Sequence, residues 1–427
     1  MPEKIIKVGI IGATLWGNRG AEAMICTTIG RIRKSFPNAK FIVFSYFPKI
    51  DRELINKTQS NVIIADATPL ALVAKHFPFA VFDRLLKLIG LRFPKKLMPI
   101  SARLLSELDV LIDVFGISFS DGREKFLPFN ILSNWPAMLM KIPVVKLAQG
   151  LGTYKNAVNR FCAKWILGSC TKVFARGTYS FKYTSQLGIK ENLDQASDIA
   201  FLYEPEYTLT DENKSYVKNI AEQLDELRNT KQKILTISVS SVVNSKCVKH
   251  NINYIKIMAQ ISSHYIEKGY IIILFPNATR ASLDSSRNND IPIIKNIANK
   301  IDSQHRKSLV EIIKDVNSAS LRELLDKTDF LIASRFHAMI GGLALSKPTM
   351  VLGWGHKYRE ILDSFDITNW AFDYTNLSKD SLIKQIDSFL EQSENIKKRI
   401  TENLPNVLKS AQHQFDWLES FITNITE

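Results

Sequence analysis

A chain of 427 residues, 45% hydrophobic and 23% charged, is long enough for roughly two or three domains and too apolar to stay disordered. Its net charge of +14 favours anionic partners: nucleic acid, an anionic membrane surface or anionic small molecules. No helix-turn-helix, zinc or aromatic-rich RNA motif accompanies that charge, which argues against nucleic acid.

In chain order, Ile5 to Ile11 reads as a buried strand. Its apolar run is too short for a signal peptide, and no later stretch approaches the ~20 apolar residues of a spanning helix. A cytoplasmic location is therefore expected, with attachment at the inner face of the membrane as the variant raised by residues 69–97. The turn Gly12 to Ala23 leads into a helix from about Ala21 to Lys34. It has neither the G-x-G-x-x-G pattern nor a P-loop lysine, so NAD or ATP binding has no motif support. Lys40 to Tyr46, Val62 to Ala65, Val110 to Val114, Val144 to Ala148 and Lys172 to Ala175 follow as short strands. They are dense in Val, Ile, Leu and Phe rather than alternating, the pattern of a parallel sheet covered on both faces.

Pro69 to Leu97 mixes Leu, Phe and Ile with Lys75, Arg84, Lys87, Arg92, Lys95 and Lys96 against one acid, Asp83. It reads either as a core helix with a basic outer face or as an amphipathic helix on an anionic membrane. From Lys125 to Lys190 there are ten Lys or Arg and no Asp or Glu. The strand–helix rhythm pauses over residues 203–232, as at a domain junction. A second series then runs through Ile234 to Val239, Tyr270 to Phe275, Leu309 to Ile312, Phe330 to Ala333 and Thr349 to Leu352. The expected fold is α/β, with two Rossmann-like domains, residues 1–205 and 230–377, facing across a cleft. Residues 378–427 are expected to be helices packing back on the first domain. The four cysteines, Cys26, Cys162, Cys170 and Cys247, are scattered, which fits reduced, mostly buried thiols.

Ligands of such sheets bind beyond the carboxyl ends of the strands, and chemistry gathers there. Phe330 to Ala333 ends in Ser334-Arg335-Phe336-His337, with Met339, Ile340, Leu343 and Ala344 continuing the buried face of a helix. Ser334 is the expected N-cap. Arg335 and His337 fall in the first turn, where free amides and the helix dipole favour an anion. Thr171 to Ala175 repeats the design, with Arg176 at its end and Gly177-Thr178-Tyr179-Ser180 opening a helix. The two arginines are expected to converge on one anion in the cleft. Gln149-Gly150-Leu151-Gly152 also follows a strand, and reads as a tight turn or as a close approach of backbone to ligand.

In chain order, the pieces are Gly17-Asn18-Arg19-Gly20-Ala21-Glu22-Ala23, Asp109 to Ile112 leading to Gly116, and Pro143 to Gly152. Arg176 with Ser180, Asp198-Ile199-Ala200-Phe201, and Arg335-Phe336-His337 with Lys347-Pro348, Gly353 and Lys357 complete the set. Together they resemble the polysaccharide pyruvyl transferase family. Two positions depart from its pattern: Phe115-Gly116 stands where Gly-Gly is frequent, and Ala21 separates Gly20 from Glu22. The resemblance implies a glycosyltransferase-B-like fold and transfer of a pyruvyl group from phosphoenolpyruvate to two hydroxyls of one sugar. A cyclic ketal forms and phosphate leaves, with no further cofactor.

By the same resemblance, Arg176, Arg335 and His337 hold the donor's phosphate and carboxylate. Asn18, Gly20, Glu22, Asp113, Gly116, Asp121, Gln149, Gly150, Gly152, Ser180, Asp198, Phe336 and Lys357 are the expected substrate-binding positions. Protonating the donor's methylene carbon leaves an oxocarbenium centre open to a sugar hydroxyl. His337 is the candidate acid, and Asp113, Asp121 and Asp198 are candidate bases. No metal-ligand cluster stands out. The alternatives are a nucleotide-sugar glycosyltransferase of the same fold and a non-catalytic glycan- or lipid-binding protein.

Overall fold

The computed structural model describes residues 5–56, 59–91, 93–211, 213–228, 231–280, 288–353 and 356–426. Arg92, one of the cations of the 69–97 segment, lies outside them. The chain divides into two units: unit 1 is Met1–Leu15, Met24–Tyr203 and Leu408–Glu427, and unit 2 is Trp16–Ala23 and Glu204–Val407.

Unit 1 holds β1 (Lys7–Ile11), β2 (Lys40–Ser45), β3 (Val62–Asp66), β4 (Val110–Asp113), β5 (Val144–Gln149), β6 (Lys172–Arg176) and β7 (Leu193–Ala196). They form one parallel sheet in the order β3-β2-β1-β4-β5-β6-β7. Every residue of β4 and β5 is buried, which is why these runs are mostly apolar and do not alternate; the buried polar exceptions, Asp113, Lys146 and Gln149, bond to one another. Ile11, Phe44, Leu111, Val144 and Val173 join one core cluster.

Unit 2 holds β8 (Ile234–Ser238), β9 (Ile271–Phe275), β10 (Leu309–Glu311), β11 (Phe330–Ala333), β12 (Thr349–Gly353) and β13 (Ala371–Asp373). They too are parallel, in the order β10-β9-β8-β11-β12-β13. Each unit thus sets its first strand beside its fourth. The strand order reverses between β1 and β4, and again between β8 and β11, opening a crevice at their carboxyl ends.

Two strands escape the sequence reading, β7 and β13, and both are sheet edges. An edge strand keeps one side in solvent and needs no apolar run; β7 carries Asp194 and Gln195, and all three residues of β13 are half-buried. The C-terminal segment also divides differently from the reading. The helix Lys379–Glu391 and the start of Ser393–Thr426 belong to unit 2, and only Leu408 onward belongs to unit 1. Within unit 1 the Trp417 ring meets that of Phe174 at 5.9 Å, and Gln414 donates to the Ser197 carbonyl at 2.8 Å.

Candidate functional site

In unit 2 the switch point is built by the end of β11 and the helix Phe336–Ala344. Its N-cap is Arg335, in extended backbone at φ −117° and ψ 135°, and not Ser334 as the sequence suggested. The Ser334 hydroxyl turns instead to the Tyr254 hydroxyl, 3.4 Å away. The Arg335 side chain makes no cap bond to this helix and turns to a carboxylate instead.

Arg335 is held by a buried carboxylate. Its Nη2 donates to Asp290 Oδ1 at 2.5 Å and its Nε to Oδ2 at 3.0 Å, the fork geometry of a strong pair. Nη2 also reaches Ser241 Oγ at 3.0 Å. Asp290 accepts in addition from the backbone amides of Ser241, Asn277 and Ala278, at 2.9, 3.1 and 2.9 Å. The guanidinium is thereby fixed in place, with 14% of its side chain exposed. Phe336 packs edge-on to Tyr358, with ring centroids 5.6 Å apart, and Lys357 Nζ lies 5.1 Å from the Phe336 centroid. Burial pushes the Tyr358 hydroxyl up to about 12, against the lowering influence of Arg335.

The turn that follows β1 is part of this site. Trp16–Ala23 belongs to unit 2, and its contacts explain the motif. Asn18 Oδ1 accepts from the Gly20 amide at 3.1 Å, and the Arg19 amide donates to the Asn277 carbonyl at 3.1 Å. Asn277 is also a donor to Asp290, so one chain of hydrogen bonds runs from Arg335 to the turn. Glu22 is fully buried and accepts from Arg19 Nη1, Thr210 Oγ1 and Ser318 Oγ, each at 2.7 Å. Its carboxylate therefore clamps the turn. Gly20 lies directly against the imidazole: a Cβ placed there would sit 2.1 Å from His337 Cγ and Nδ1. Asn18, Gly20, Glu22, Arg335 and His337, far apart in sequence, are thus neighbours.

Arg19 is the residue that sequence reasoning passed over. It is 5% exposed; among the described residues its Nε and Nη2 make no hydrogen bond, although Nη2 lies 3.7 Å from Asp315 Oδ1. A buried guanidinium with donors to spare suits an anion. Its only sequence signal is its place inside the matched turn.

In unit 1 the switch point is the end of β4. Asp113 is buried and accepts from Lys146 Nζ at 2.5 Å, Asn134 Nδ2 at 2.9 Å and the Phe115 amide at 2.8 Å. Gly12 has φ 98°, and a Cβ there would lie 2.5 Å from Asp113 Oδ1, so only glycine leaves room for that carboxylate. Lys146 was not anticipated, although a lone lysine within Val144-Val145-Lys146-Leu147-Ala148 is a legible signal. Gln149, fully buried, donates to the Asp113 carbonyl at 3.1 Å and accepts from Ser118 Oγ at 2.5 Å. The Gly116 carbonyl accepts from the Gly150 amide at 3.1 Å, and a Cβ on Gly116 would meet nothing.

Arg176 ends β6, is the N-cap of the helix Gly177–Ser185, and donates to Asp198 Oδ2 at 2.8 Å. A Cβ on Gly150 would lie 2.9 Å from Arg176 Nη2, and one on Gly152 2.8 Å from the Tyr183 ring. Ser180 Oγ accepts from the Leu151 amide at 3.0 Å. The strand end, the Gln149-Gly150-Leu151-Gly152 turn and Arg176 therefore form one cluster. Asp121 stands beside it as a clamp on residues 153–159, accepting from Thr153 Oγ1, the Lys155 amide and Asn159 Nδ2 at 2.8, 2.7 and 2.9 Å. Burial opposes its charge, yet those donors hold its carboxyl below the ordinary value. Asp113, Asp121 and Asp198, each read as a candidate base, are all held by donors in this way.

The sequence matches the family described as polysaccharide pyruvyl transferase over residues 18–356. Among solved structures, the UDP-GlcNAc 2-epimerase from Neisseria meningitidis bound to UDP-GlcNAc aligns with a TM-score of 0.56 at 13% identity, covering 98% of this chain and 99% of that one. HepE of Anabaena in complex with UDP and glucose gives 0.52 at 12%, covering 99% and 97%. The wall teichoic acid polymerase TagF gives 0.51 at 12%, covering 99% and 90%. At such identities the likeness is one of fold, that of glycosyltransferase-B-like enzymes and epimerases.

Proposed function

Because the chain belongs to the polysaccharide pyruvyl transferase family, we propose that it moves the pyruvyl group of phosphoenolpyruvate onto two hydroxyls of one sugar. The sugar is part of a cell-surface polysaccharide or its lipid-linked precursor. Both hydroxyl oxygens bond to C2 of the donor, the C2–O bond to phosphate breaks, and the methylene becomes a methyl. One hydroxyl proton replaces the proton delivered to carbon, and the other leaves with phosphate.

The observation that carries the donor assignment is the pair of guanidinium groups, each oriented by a buried carboxylate, that stand with His337 at the switch point of unit 2. Arg335 is pre-oriented by Asp290, Arg19 is buried with two nitrogens that make no hydrogen bond among the described residues, and His337 stands in the first turn of the helix that Arg335 begins. A phosphate and a carboxylate on one small molecule match such a set, and donors fixed before binding cost little to reorganise. His337 is assigned as the acid toward the methylene carbon, since a bound anion favours the imidazolium. Arg176 is assigned a part in the transfer, with Gln149, Gly150 and Gly152 beside it. The three aspartates receive positioning parts, because their oxygens are already engaged.

Calorimetric titration with phosphoenolpyruvate, beside uridine and guanosine diphosphate sugars, tests the reading. Saturable phosphoenolpyruvate binding is expected, weakened at least about tenfold in Arg335→Lys, where the bidentate fork is lost. Addition of the acceptor then releases phosphate and leaves a pyruvate ketal visible by mass spectrometry. Binding of a nucleotide sugar with silence from phosphoenolpyruvate overturns the proposal and moves the protein to nucleotide-sugar-dependent glycosyl transfer.

A further inference from the structure

Unit 1 carries an exposed apolar face that its own core does not use. On the helix Phe77–Leu88 and the residues just after it, Phe82, Leu85 and Ile89 are 56%, 52% and 69% exposed. They recur at i, i+3 and i+7, the spacing of one side of a helix. The helix Ala157–Gly168 presents a second stripe at the same spacing: Val158, Phe161 and Trp165, exposed by 63%, 70% and 37%. An aromatic bridge ties the two helices together. Phe77 meets Trp135 at 4.8 Å between ring centroids, and Trp135 meets Trp165 at 4.8 Å.

Charge decides what such a face meets. Exposed Lys87, Lys95 and Lys96 accompany the first stripe, and exposed Arg160 and Lys164 the second. The one acid between Ala67 and Ser106 is Asp83, which is 5% exposed and sits 2.6 Å from Lys87 Nζ. No acid occurs between Lys125 and Lys190. The only polar atom in either stripe is the indole N–H of Trp165, a side chain suited to the boundary between acyl chains and headgroups. Hydrocarbon for the stripes and anions for their flanks are offered together by a bilayer containing anionic phospholipid. Among the described residues no helix is long and apolar enough to cross a membrane, so contact would be from the side.

The geometry points to a docking surface for an anionic lipid bilayer, on which these two helices lie with their apolar stripes at the acyl boundary and their lysines and arginines among the phosphates. A protein held in this way meets lipid-linked sugars where they are embedded. The inference is independent of the donor and is read from vesicle binding alone.

Flotation of the full chain with phosphatidylcholine vesicles, with and without phosphatidylglycerol, tests it. The protein is expected to float with the anionic vesicles and to be released as salt rises. Leu85→Ser/Phe161→Ser should lower partition at least about tenfold with an unchanged melting temperature, because both side chains are exposed. Lys95→Gln/Lys96→Gln should lower it roughly fivefold per lysine on anionic vesicles alone. Absence of flotation, or flotation untouched by either variant, overturns the inference. So does a wild-type dimer that Leu85→Ser/Phe161→Ser converts to monomer without vesicle binding, which would make the face a contact between copies.

Discussion

A Cβ on residue 20 would lie 2.1 Å from two ring atoms of His337, closer than non-bonded atoms approach, so the glycine there is required by the imidazole beside it. Gly20→Ala should therefore displace His337 and cost about 1–3 kcal/mol of stability, with loss of donor binding. The test is a cycle. In a His337→Ala background the added methyl has room, and the stability cost of Gly20→Ala should largely vanish. An equal cost in both backgrounds would show that the backbone, and not the imidazole, demands glycine. Arg335 and Arg176 share a logic at the same scale. Each strand-end guanidinium is fixed by a buried aspartate, Asp290 and Asp198. Neither partner is recognisable from its local sequence, because nothing at residues 198 or 290 reveals which distant cation its carboxylate faces.

At the scale of elements, the end of β4 is locked to the middle of β5 by Asp113 and Lys146, whose side chains are 3% and 0% exposed. A lone buried charge is costly, so Lys146→Met should destabilise unit 1 by about 3–5 kcal/mol, read from urea denaturation. Pairing it with Asp113→Asn, which removes the stranded charge, should recover much of that loss. Stability unchanged in Lys146→Met would mean that the pair does not hold the two strands. The inner strands of both sheets were legible because both faces are covered, so their sequences are mostly apolar and do not alternate. The edge strands β7 and β13 were not, since half-solvated strands carry polar residues that read as loop.

For the whole molecule, stability should depend on pH through His76. Burial pushes its imidazole down to about 4; the ring packs edge-on to Phe44 at 5.7 Å, and its Nε2 lies 3.0 Å from the Asp66 carbonyl. The unfolded chain keeps the ordinary value of ~6.5, so below it the unfolded state binds the extra proton first. The contribution is complete above about pH 6.5 and is lost as pH falls toward 4, amounting to about 3 kcal/mol. Denaturant titrations at neutral and acid pH should show that loss in the wild type and a flatter profile in His76→Gln. A profile of equal slope in both would assign the acid sensitivity to other groups.

Fold class, the inner strands, the strand-end arginines and the family were determined by the sequence itself, because burial on both faces and the chemistry of strand termini leave local patterns. The tertiary structure alone decided what those residues touch. It brought the first turn to His337 and gave Glu22 to Arg19, Thr210 and Ser318. It divided the C-terminal helices at Leu408, and it left the Phe82 and Phe161 stripes in solvent. A sequence specifies which groups seek burial, charge or a partner. Which partner each finds depends on contacts between residues hundreds of positions apart, such as Glu22 and Ser318, and these exist only once the chain is folded.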